Sequence, residues 1–68
     1  MKLLALDAAL TRLEKEDPEG HKLVMLRFYT GLTMEEAAEI LATSVRTAER
    51  RWRFLRAWLA REIESESA

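Results

Sequence analysis

The chain has no cysteine, one histidine, one proline and two glycines among its 68 residues. Each scarcity removes a class of protein. Without cysteine there is no disulfide framework and no thiolate metal site, and a reducing, cytoplasmic compartment is the expectation. The lone histidine, His21, has no second metal-type ligand near it in sequence, which leaves it a surface or capping role; no metal and no cofactor are expected. No apolar run approaches the roughly 18 residues that a membrane span needs. The N-terminus also lacks the layout of a secretory signal. No stretch alternates apolar and polar residues in the manner of a strand, so neither a sheet nor a winged element is expected.

What is present suits one small all-α domain. Hydrophobic residues make up 49% of the chain and charged residues 34%, enough for a core and a solvated surface. A core this small carries little surplus stability, so a partner or an attached second domain is in keeping with it. Four helices are expected, at about 3–16, 18–30, 34–41 and 45–62. In the first, Leu3, Leu6, Leu10 and Leu13 form one stripe at helical spacing. Asp17 is placed to cap the second and Pro18 suits its first turn. The second helix is apolar nearly all round, hence expected at the centre, with Gly31 just past its end. Thr33-x-x-Glu36 reads as a capping box opening a short third helix, and Ser44 as the N-cap of a long last one. A short helix, a turn of about three residues and a longer helix make a helix-turn-helix over residues 33–54. Ala37 and Ala38 permit the close crossing it needs, and Leu41, Ala48 and Trp52 are expected to close the joint.

Charge is segregated along the chain. Residues 1–43 carry five basic against eight acidic side chains, a balance of −3, whereas residues 44–61 carry six arginines against Glu49 alone, a balance of +5. Glutamates at 62, 64 and 66 restore the formal net charge of −1. At 100° per residue, Val45, Ala48, Trp52, Leu55, Leu59 and Ile63 form the core side of the last helix. Arg46, Arg50 and Arg53 fall nearly opposite, with Glu49 at their edge and Arg51 on a flank, where it could reach a phosphate. A solvated, salt-bridged surface would need acids at i±3 or i±4, and in this span Glu49 supplies almost all of them. The pattern favours a polyanion. A helix bearing it can enter a major groove, where arginine pairs with guanine and glutamate accepts from cytosine. The amides at the N-termini capped by Thr33 and Ser44 can hold phosphates.

Other residues carry less. Glu35, Glu36 and Glu39 lie where acids favour the helix dipole, with no nucleophile or base beside them, so no enzyme is expected. Phe54 and Trp58 lie off the core stripe of the last helix. The preferred reading packs Trp58 on the first helix; otherwise the two form an aromatic patch for a partner. Met25 and Tyr29 pose the same choice on the second helix, with the core preferred.

The run "LVMLRFYTGLTMEEAAEILATSVRTAERRWRFLRAWLARE" resembles region 4 of bacterial extracytoplasmic-function (ECF) sigma factors, the C-terminal promoter-recognition domain. An apolar "LRF" helix end, "GLT", "EEAAE-L", a turn with "S-x-x-T" and a basic helix ending "RAWL" carry the likeness. The "TAERRWRFLRAWL" ending is similar to sigma-like proteins of planctomycete-type bacteria. The resemblance implies that the last helix reads the −35 element of double-stranded promoter DNA. It also implies docking on RNA polymerase through the β-subunit flap, and an anti-sigma factor as a further partner. Carried onto matching positions, it assigns base or groove contacts to Arg46, Glu49, Arg50 and Arg53, and phosphate contacts to Thr33, Ser44, Thr47, Arg51 and, more weakly, Arg27. Met25, Tyr29, Phe54 and Trp58 are the partner-binding candidates. The turn departs from the family pattern: "LATS" stands where Gly and an aliphatic residue are usual, so Ala42 must adopt glycine's backbone conformation. Nothing resembles region 2, so a piece of a longer sigma factor is expected, with a free-standing sigma-like DNA-binding protein as the alternative. Two rival functions stay open: another helix-turn-helix regulator, which would dimerise on paired half-sites, and a module that grips an acidic protein.

Overall fold

Local capping chemistry fixes where the second, third and fourth helices start. The structure, a computed structural model, describes residues 2–67 and consists over that span of α1 (Lys2–Glu16), α2 (Pro18–Phe28), α3 (Met34–Ile40) and α4 (Val45–Ser67). Asp17 separates the first two: its carboxylate accepts from the Gly20 N–H at 3.0 Å, and Pro18 fills the first turn, where no N–H is needed. Thr33 and Glu36 form the expected capping box, each side chain accepting from the other's backbone N–H. Ser44 Oγ accepts from the Thr47 N–H at 3.1 Å and donates to Thr47 Oγ1 at 2.9 Å.

The helix ends differ from the periodicity. α2 stops at Phe28 instead of running to residue 30. The Thr30 hydroxyl donates to the Leu26 carbonyl that its own N–H would have used, and that N–H turns to Met25 O at 3.3 Å. Gly31, at φ +69°, then reverses the chain. At the other extreme α4 continues to Ser67 rather than ending near 62. No glycine or proline follows Gly31 to stop it, and Arg12 of α1 reaches Glu62 at 3.2 Å, holding the two helices together along this stretch.

The turn between α3 and α4 closes around Ala42, at φ +55°. Its N–H donates to Glu39 O at 3.1 Å and the next, Thr43 N–H, to Ala38 O at 2.9 Å. These two bonds make a Schellman motif with alanine in the left-handed position that glycine usually fills. The left-handed conformation costs an L-residue roughly 1–2 kcal/mol, and the added freedom of glycine in the unfolded chain takes back about 0.4–1 kcal/mol. Ala42→Gly should therefore stabilise the domain by about 0.5–1 kcal/mol, read as a higher urea midpoint at unchanged m.

Glu36 titrates below the usual glutamate range, because its carboxylate accepts the Thr33 N–H and because the Thr33 hydroxyl lies beside it. A depressed folded-state pKa contributes stability that is fully present above the ordinary value and is lost as pH falls through it and below. Glu36→Gln keeps an acceptor without a titration, so its urea midpoint should decline less steeply on acidification than that of the parent.

Ala9, Leu10 and Leu13 of α1, Leu23 and Val24 of α2, Ala37 of α3, and Leu55 and Leu59 of α4 form the core. α2 touches all three other helices, as its composition suggests, although its last turn emerges at the surface. Ala5 and Ala9 are as deeply buried as the leucines of α1 and let a neighbour approach closely; the leucine stripe alone does not show this. Leu3 lies outside the residues whose side chains are described. Ala48 is buried at the crossing of α3 and α4, with Leu41 and Trp52 partly buried beside the core. Met25 and Trp58 pack against the core as preferred, but Tyr29 does not: it is 67% exposed. As the C-cap it keeps a helical backbone, and helical geometry places it on the side of α2 opposite the buried Gly20, Leu23 and Val24.

Candidate nucleic-acid interface

The helix-turn-helix holds the first turns of α4 by their apolar side and leaves the opposite side bare. Ala48 and Leu55 are buried while Arg46, Glu49, Arg50 and Arg53 are exposed. The three arginines line one open groove along the helix. Among the described residues no carboxylate lies within 4 Å of any of them, and Glu49, in their midst, forms no ion pair. A row of guanidinium groups without counter-charges is what distinguishes this face from a salt-bridged surface.

The remaining candidates fall into two groups. Thr33, Ser44 and Thr47 sit at the starts of α3 and α4, where their hydroxyls already cap backbone or one another. Backbone N–H groups of the same first turns point outward and carry partial positive charge.

Arg51 and Arg27 are engaged inside the domain. Arg51 Nη2 donates to Asp17 Oδ1 at 3.1 Å, tying α4 to the corner between α1 and α2. The bond joins residues 34 apart, beyond the reach of any local pattern. Arg27 Nη1 donates to the Leu32 carbonyl at 2.6 Å, and its guanidinium carbon lies 5.4 Å from the centre of the Trp52 ring. The other side of this cluster is Phe28, whose ring centre is 5.3 Å from that of Trp52 at a tilt of 52°. Arg27 Nε is buried without a hydrogen-bond partner.

Two apolar depressions flank the bundle. One, of about 250 Å³, is lined by Leu6, Leu10, Phe28 and Tyr29; the other, of about 160 Å³, by Leu13, Glu16, Asp17, Phe54 and Trp58. Phe28, 62% exposed, was not among the residues the sequence suggested for a partner. It is the last residue of α2, and it touches the Trp52 ring while most of its own surface faces solvent. Phe54 is 65% exposed. Among the described residues no group of three metal-ligating side chains occurs, and no helix is long and apolar enough to cross a membrane.

Comparison with models of protein families matches residues 1–65 to ECF sigma factors. The chain belongs to the ECF sigma factor family. No curated protein and no solved structure matches it. For an ECF sigma factor, four helices enclosing a helix-turn-helix are consistent with region 4. Membership carries a role in transcription initiation, with promoter DNA and RNA polymerase as partners and often an anti-sigma factor as well. The family is one of non-enzymatic transcription factors.

Proposed function

We propose that this ECF sigma domain reads the −35 promoter element with the first turns of α4. The observation that carries the reading is the row Arg46, Arg50 and Arg53, exposed on the second helix of a helix-turn-helix with no carboxylate partner among the described residues. Each can present two parallel N–H donors to the O6 and N7 of a guanine, and Glu49 beside them can accept from a cytosine amino group. Thr33, Ser44 and Thr47 hold the phosphates on either side, together with the amides of the two helix starts. Arg51 can join them from the flank by exchanging Asp17 for a phosphate.

The groove of Leu6, Leu10, Phe28 and Tyr29 suits the polymerase β-flap, because an apolar cleft on the α1–α2 side leaves the arginine row free for DNA. An anti-sigma factor with an acidic surface would instead compete for the arginines. The direct test is selection from a pool of randomised duplexes, followed by competition binding at two salt concentrations. One enriched motif, bound more weakly as salt rises, supports the reading. Binding without enrichment means a general polyanion grip and sinks it.

A further inference from the structure

Arg27 joins α2 to α4 and to the segment that leads into α3. It belongs to α2, it donates to the carbonyl of Leu32, the residue just before the cap of α3, and it lies over the ring of Trp52 in α4. Phe28 holds that ring from another side. A guanidinium whose Nε is buried and unpaired, and whose Nη1 is spent on a backbone carbonyl, is poorly placed to meet a phosphate. Its planar shape, by contrast, suits stacking on an indole while bonding in its own plane.

We infer that Arg27 is a positioning residue for DNA reading: it sets the angle of α4 against the start of α3 and does not itself contact the phosphates. This rests on the −35 reading above. The arginine row can match base edges only if α4 holds one orientation relative to the phosphate anchors at Thr33 and Ser44. A loosened α4 would still bind backbone, but it would lose the register that distinguishes one sequence from another.

The test uses Arg27→Lys and Arg27→Met, with affinities for the selected duplex and for a scrambled one measured across a salt series. The ratio of the two affinities is unaffected by partial unfolding, since loss of folded protein lowers both alike. Positioning predicts that the ratio narrows by about tenfold in both variants, on the scale of one misplaced base contact. The slope of log affinity against log salt should stay where it was. A phosphate ligand predicts the reverse: Arg27→Lys binds as the parent does, and Arg27→Met loses roughly one unit of salt slope with its sequence ratio intact. That outcome, or an unchanged ratio in both variants, overturns the inference. A parent domain with no sequence preference would end the −35 reading and this inference together.

Discussion

Leu55→Ala is expected to cost about 2–5 kcal/mol, the range for truncating a fully buried leucine. Leu55 is 1% exposed and sits in the core cluster with side chains from α1, α2 and α3. Its contact with α2 is especially close. Gly20 is buried there, and a Cβ on it would lie 3.0 Å from Leu55 Cδ2 and 2.4 Å from Asp17 Oδ2. The Leu55 side chain itself fills the space against the Gly20 backbone, so an alanine leaves a void at that contact. A domain of this size holds about 3–10 kcal/mol in all, so the variant should be largely unfolded or lie close to its midpoint. Urea unfolding followed by circular dichroism gives the answer, with Leu55→Met as a volume-conserving control expected to lose less than about 1.5 kcal/mol.

Arg50→Ala should leave the fold untouched and cost about 1–3 kcal/mol at the preferred duplex, or roughly 5- to 150-fold in affinity. The side chain is exposed and has no partner among the described residues, so its removal opens no cavity and breaks no bond. Whatever is lost is lost to DNA. Arg61 provides the comparison, because it is also an exposed arginine of α4 but lies about 16 Å further along the helix. Arg61→Ala should barely change binding. Equal losses at the two positions would point to a diffuse grip on charge and away from a recognition helix.

Helix starts were legible in the sequence because capping is local chemistry. Asp17 with Pro18, Thr33 with Glu36, and Ser44 each act within a single turn. Helix ends were less so. A threonine hydroxyl competing for one carbonyl stops α2 early, and nothing in the composition of α4 marks where its periodicity should yield to solvent. The apolar composition of α2 also hid that Phe28 and Tyr29, at its end, lie off its buried face and are exposed. The arginine row of the candidate site followed from spacing alone, since residues 3 and 4 apart share a helix face. The engagement of Arg51 with Asp17 and of Arg27 with Trp52 did not. Those pairs join side chains from different helices, and only the packing angle of α4 brings them together.

Ala42 shows a third case, in which the sequence raised a question that the backbone answers. An alanine in the place usual for glycine could have meant a different turn. The two bonds from Ala42 and Thr43 show the ordinary motif held at a cost in conformational strain.

The most direct test of DNA reading by α4 is a two-dimensional amide NMR titration with short duplexes at low salt, which registers weak binding residue by residue. Shifts concentrated between Thr33 and Phe54, and differing from one duplex sequence to another, are the expected result. Shifts that are absent, or confined to Trp58 and the first two helices, would contradict it and remove the arginine row from DNA reading.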